Sequence, residues 1–195
     1  MSRTPARLLA GSVAVILAVT GLSGAAAADS APAAVTGTAV ATVSTTFVSS
    51  AAQNGVVVLP LPDAGVSYNS AEGLKVSFPV TGGSVSLQGY YGEVQLGGSL
   101  LFIDYFTGKS VRFKQLAFNA EAWRLTGVPE GGTTAVNLLK PAGVAQTGHS
   151  GTTQTLNSSD FKVDASAAQY LDTQLKTTFF TAGQSVGSFS LTVNG

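Results

Sequence analysis

The chain has 195 residues, with 10 basic and 10 acidic side chains, 45% hydrophobic content and no cysteine. That length suits one domain with a sizeable core, and the low charge argues against a disordered chain, which is usually charge-rich and poor in hydrophobes. The lack of cysteine excludes disulfides and the acylated cysteine that begins a bacterial lipoprotein.

Arg3 and Arg7 precede an apolar run from Leu8 to Leu22, and Ala25 to Ala28 follow it before Asp29. A basic start, an apolar middle and an Ala-x-Ala site predict a signal peptide over residues 1–28, cleaved after Ala28. The apolar run is short for a span and no basic stop follows it, so no membrane span is expected after cleavage. The expected location is secreted, extracellular or loosely associated with the cell wall. Loss of Arg3 and Arg7 leaves eight basic residues against ten acidic ones, a net charge of −2. With no Lys/Arg cluster to neutralise a run of phosphates, nucleic acid is not expected as a partner.

Residues 29–54, rich in Ala, Thr, Ser and Val, read as either a spacer or an edge strand, and 55–195 as the folded domain. Gln53-Asn54-Gly55 signals a turn before a short strand from Val56 to Leu59. Leu74, Val76, Phe78 and Val80 then alternate with Lys75, Ser77 and Pro79, which predicts a half-buried strand. Gly82-Gly83 and Gly97-Gly98 read as hairpin turns on either side of the Glu93–Leu96 strand. Leu100 to Ile103 is apolar throughout and should be covered on both sides or have one side facing a partner, and Thr107-Gly108-Lys109 reverses the chain. Leu116 to Thr126 reads as one strand whose mixed parity calls for a bulge. Val136 to Lys140 is a short strand and Gly143 to Thr153 a polar loop. Asp164 can cap a helix in which Ala167, Ala168, Leu171 and Leu175 recur at helical spacing up to Lys176. Val186, Phe189, Leu191 and Val193 form a closing strand. The expected fold is all-β, an antiparallel two-sheet β-sandwich with one short helix in its C-terminal region.

Catalytic residues are not evident. Gly148-His149-Ser150-Gly151 fails as a nucleophile elbow because its second Gly comes one residue early, and there is no second His. Glu93 and Glu121 are the pair a glycan-active enzyme would use, although solvated strand positions explain them more simply. One His without Cys makes no standard zinc site, and no Asp-x-Asp-x-Asp run supplies a calcium loop. The aromatics Tyr90, Tyr91, Tyr105, Phe106 and Trp123 fall near predicted strand ends, where they could pack the rim or bind sugars or a flat hydrophobic ligand.

Gly98-Ser99-Leu100 with Thr107-Gly108-Lys109, and Ala167-Ala168-x-x-Leu171 with Phe180-Thr181-Ala182-Gly183, resemble small exported all-β proteins of high-GC Gram-positive bacteria. Within that group the last two-thirds of the chain is distantly similar to HtaA-type haem-binding surface domains. That family carries an early Trp and a Ser-x-x-Tyr segment bearing its haem-ligating Tyr. Here Trp123 lies late and Tyr68 has no such setting, so no ligand residue carries over. No cofactor is expected from the residues themselves, and haem is what the resemblance implies; if haem is bound, Tyr90, Tyr91 or Tyr105, with His149 in support, are the candidates in this sequence, because a phenolate can hold ferric iron.

The leading expectation is a non-catalytic extracellular or cell-envelope module that acts by binding or structure. Its candidate ligand-binding residues are Tyr90, Tyr91, Tyr105, Trp123 and His149. Its expected partners are a cell-wall component, a glycan or a hydrophobic small molecule. An HtaA-like haem-binding protein and a secreted glycan-active enzyme are the alternatives.

Overall fold

The structure, a computed structural model, describes residues 35–69 and 73–195. The expected signal peptide over 1–28 lies outside the described residues.

Among the described residues, eleven strands and two helices follow one another. They are β1 (Thr36–Val43), α1 (Thr45–Gln53), β2 (Val56–Leu61), β3 (Gly65–Asn69), β4 (Gly73–Ser86), β5 (Tyr91–Leu96) and β6 (Ser99–Asp104). The second half holds β7 (Lys109–Asn119), β8 (Arg124–Pro129), β9 (Val136–Ser150), β10 (Thr153–Val163), α2 (Ala165–Leu175) and β11 (Ser185–Asn194).

Eight strands close on themselves in the order β7-β5-β4-β1-β11-β10-β9-β8, and β8 pairs back onto β7. All pairings are antiparallel. The fold is therefore a closed β-barrel, and the expected two-sheet sandwich is incorrect. Two glycine pairs explain the difference. Gly82 and Gly83 sit inside β4 at a register shift, and Gly97-Gly98 joins β5 to β6 without pairing them. β5 and β6 run in the same direction along a single edge of β7, β5 opposite residues 116–119 and β6 opposite residues 109–113. Both pairs thus bend strands where hairpin turns were expected. Gly83 and Gly98 take positive φ, a conformation that serves a bend as readily as a reversal. Reversals at those points would stack two sheets, whereas bends coil one sheet into a ring.

The segment left open between spacer and edge strand holds β1, which pairs with both β4 and β11, and then α1. The expected loop from Gly143 to Thr153 is instead the far half of β9 with the tip of its hairpin to β10. The second half of the expected Leu116–Thr126 strand is a four-residue hairpin loop followed by β8. The helix expected after Asp164 is present with that residue as its cap, and α1 makes a second helix where one was expected.

The barrel interior is filled by alternate residues of the ring, among them Ala39, Val94, Leu116, Phe118, Leu156 and Leu191, all fully buried. Phe118 stacks on Phe189 at 5.7 Å between ring centroids and Phe189 on Phe161 at 4.4 Å, so an aromatic column follows the barrel axis.

Candidate functional site

The two ends of the barrel are built differently. At one end lie the tight hairpins, residues 87–90 between β4 and β5, 120–123 between β7 and β8, and 151–152 between β9 and β10. At the other lie α1, α2 and the excursion through β2 and β3.

Local chemistry makes α1. The Ser44 hydroxyl accepts the Phe47 N–H at 3.1 Å, capping the first turn, and Gly55 at positive φ follows the C-cap Asn54. Phe47 and Ala51, four residues apart, fall on one face and are its buried residues. α1 leads into β2, which pairs with β6, while β3 pairs with β4. No pairing joins β2 to β3 among the described residues, so the sheet parts between them.

A cavity of about 240 Å³ opens at this parting. Its floor is Phe161 and Phe189, the lower end of the aromatic column, and its walls include Ala51 of α1 and Ala167 and Leu171 of α2. Its mouth is rimmed by Val48, Val57 and Val66, each substantially exposed, Val66 at 58%. Among the described residues, every one that lines the cavity is apolar. Cavities of about 150 Å³ with such walls stay dry and admit benzene. By proportion this one accommodates about ten non-hydrogen atoms. A larger concavity, about 380 Å³, is an open depression on the outer wall floored by Thr42, Asn157, Ser188 and Ser190, and it encloses nothing.

The sequence-derived candidates divide between the two ends. Tyr90 and Trp123 belong to the two four-residue hairpins of the closed end, where their rings pack 5.0 Å apart, and Tyr91 begins β5 beside them. His149 is exposed on β9, opposite Gln154 of β10 at the same end. Tyr105 lies at the open end in the β6–β7 turn, and its hydroxyl donates to the Ala52 carbonyl at 2.8 Å. The closed end is sealed beneath these side chains. Leu87 is fully buried, its N–H donates to Gln154 Oε1 at 2.8 Å, and Gln154 Nε2 donates to the Val85 carbonyl at 2.7 Å.

Glu93 and Glu121 line neither concavity. Glu93 accepts from Gln95 Nε2 at 2.9 Å and Asn119 Nδ2 at 3.3 Å, and Glu121 is exposed in its hairpin. Of the titratable groups with a displaced pKa, Asp164 bears on the cavity because it caps α2, one of the walls. Partial burial pushes its carboxyl up, but the Ser166 N–H and hydroxyl and the Arg124 guanidinium at 2.7 Å outweigh that and hold it below the usual range. Burial raises Asp172, only partly offset by the N–H of Phe180. No group of three metal-ligating side chains occurs among the described residues, and none of their helices is long and apolar enough to cross a membrane.

No family model matches the chain, and no curated protein matches it. Among solved structures, the C-terminal domain of HtaA from Corynebacterium glutamicum is similar over 83% of this chain and 97% of that one, with a TM-score of 0.56 and 13% identity. At that identity the likeness is one of fold.

The cavity residues escape sequence reasoning because α1 is written in Thr, Ser and Val, poor helix formers. The readable signal was Ser44 three residues before Phe47, with Ala51 one turn on and Asn54-Gly55 as the stop.

Proposed function

We propose that the chain is an exported, non-catalytic binding module whose ligand is a small amphiphile, its hydrocarbon part seated in the cavity between the barrel, α1 and α2. The observation that carries this reading is the wholly apolar lining. A polar group placed inside finds no side-chain partner and loses its hydration, so the buried part of the ligand is hydrocarbon and the polar end stays at the Val48–Val57–Val66 mouth. The N-terminal sequence supports export. Burial of about ten carbons contributes about 8 kcal/mol, against at least about 4 kcal/mol of lost ligand freedom. The net of about 4 kcal/mol corresponds to a dissociation constant of about 1 mM.

Calorimetric titration with decanoate tests this. The expected result is saturable binding with a negative heat-capacity change, weakened at least tenfold in Ala51→Leu, which fills the cavity from α1. No saturable heat up to several millimolar overturns the reading.

Haem capture is the reading that the HtaA likeness favours, and the residues present do not fit it. Among the described residues no Tyr, His, Met or Lys lines the cavity, Tyr105 beside it spends its hydroxyl on Ala52, and Tyr90, Tyr91 and His149 stand at the sealed end. A porphyrin also far exceeds about ten atoms. Hemin is expected to give no saturable Soret shift; a shift abolished by Tyr105→Phe or Tyr90→Phe would replace the amphiphile reading with haem.

A further inference from the structure

Three hairpins share one backbone design, and the residue that closes each loop sets two of them apart from the third. Residues 87–90, 105–108 and 120–123 are four-residue loops, and each is braced by the side chain just before it. Ser86 Oγ accepts the Gly89 N–H, Asp104 Oδ1 those of Phe106 and Thr107, and Asn119 Oδ1 that of Ala122. The last residue of each loop takes the left-handed conformation, at φ 54° for Tyr90, 67° for Gly108 and 54° for Trp123. Glycine adopts it freely, whereas a bulky aromatic does so against its own side chain. The two loops that place an aromatic there are the two that meet, with Tyr90 packed on Trp123. Trp123 is in turn held edge-on by the buried Phe118 at 5.6 Å, while Tyr90 remains 59% and Tyr91 63% exposed.

Polar groups are fixed beside these rings. Val94 and Leu96 of β5 point into the core, so Tyr91, Glu93 and Gln95 share the outer face, Glu93 about 7 Å along the strand from Tyr91. Asn119, opposite Glu93 on β7, donates to it and also braces the Trp123 loop. Glu93 thus accepts two amide hydrogens and keeps lone pairs for further donors. Arg124 adds no free positive charge, since its guanidinium is engaged by Asp164 and by the carbonyls of Ala122 and Trp123.

From this arrangement we infer that the closed end carries a carbohydrate-binding site, in which Tyr90 and Tyr91 stack on the C–H face of a neutral sugar and Glu93 accepts from its hydroxyls. Exposed rings supply the apolar face such a ligand needs, and a carboxylate already oriented by two amides supplies the polar edge. The neighbouring charges, Glu93 and Glu121, disfavour phosphorylated or otherwise anionic ligands. A quaternary ammonium calls for a cage of ring faces, whereas here Tyr90 and Trp123 pack directly on each other, 5.0 Å between centroids, and leave no space for a cation between them. The site lies at the opposite end from the cavity and stands independently of the amphiphile reading.

Trp123 is the sole tryptophan, so intrinsic fluorescence reports on this site directly. The purified chain is titrated with maltohexaose, cellohexaose and chitohexaose, with choline as a cationic control. The expected result is a saturable change in emission with at least one oligosaccharide. Binding of that sugar should weaken at least tenfold in Tyr90→Ala and Tyr91→Ala and severalfold in Glu93→Gln, with circular dichroism unchanged. A flat response to all three sugars overturns the inference, as does a response undiminished in Tyr90→Ala or one given to choline alone. Should Tyr90→Ala lose its native spectrum, Tyr91→Ala and Glu93→Gln, both on the outer face, decide the matter by the same criteria.

Discussion

The closed end and the open end of this barrel are made from the same eight strands, and the contrast between them comes from how the strands are connected. A four-residue hairpin is narrow enough to fold its first residue into the mouth of the ring. Leu87 and Ala120 do so and are fully buried. A helix about 10 Å across cannot descend into the same opening. α1 and α2 therefore lie over their end and leave space beneath them, and the sheet parts between β2 and β3 beside them. Tight connection gives a sealed end with side chains displayed outward, and long connection gives a cavity. On this reading a stacking surface and an apolar pocket are consequences of loop length at opposite ends of one aromatic column.

The largest expected effect tests the sealing. Leu87→Ala removes a fully buried side chain where the Gln154 hydrogen bonds fix the backbone against collapse, and it should cost about 3 kcal/mol in denaturant unfolding. Val66→Ala, at the mouth of the cavity and 58% exposed, should cost less than about 0.5 kcal/mol. Equal losses at the two positions would mean that the open end is packed as tightly as the closed one.

Next in size is the attachment of α2 over the cavity. Asp164→Ala removes the N-cap of α2 and leaves the half-buried Arg124 without its carboxylate, and should cost about 2 kcal/mol at neutral pH. The folded-state pKa of Asp164 is depressed. Its contribution is therefore fully present above the unfolded value of about 3.8 and is lost as pH falls below that through the folded value. The gap between wild type and Asp164→Ala should thus hold from pH 7 to about 5 and shrink toward pH 3. A gap that does not narrow at all as pH falls below about 3.8 would place the stabilisation outside the carboxylate's charge. Decanoate affinity should fall in this variant with the wall it loosens.

Much of the chain declared its local structure and little of its closure. α2 was legible because Asp164 caps a run in which Ala167, Ala168, Leu171 and Leu175 recur on one face, and local chemistry decides such a helix. The strands from Leu74 to Val80 and from Val186 to Val193 were legible from alternation. Gly82-Gly83 and Gly97-Gly98 were not, because positive φ is common to a bend and a reversal, and only long-range pairing distinguishes the two. Trp123 was misplaced for a related reason. In residues 116–126 a tight hairpin and a bulge break parity in the same way, and the αL position that marks the hairpin is filled by Trp where Gly would announce it. The cavity was hidden further, since α1 owes its helix to the cap at Ser44 and to the packing of Phe47 and Ala51 rather than to propensity. The aromatic candidates near strand ends were brought together in part: Tyr90, Tyr91 and Trp123 adjoin, while Tyr105 stands at the opposite end.

The smallest expected effect is the most informative about the closed end. At Gly108 an added Cβ meets nothing, so Gly108→Ala isolates the cost of the left-handed backbone, about 1 kcal/mol. Tyr90→Gly relieves that same cost in a loop of the same design. It also gives up the contact with Trp123, worth about 0.5–1.5 kcal/mol. The two terms nearly cancel, and Tyr90→Gly should leave the melting temperature within about 2 °C of wild type. A fall comparable to that of Leu87→Ala would make Tyr90 part of the seal, its strain the cost of closing the barrel. A change near zero means that the aromatic adds almost nothing to stability, and its strained, exposed placement then calls for a ligand.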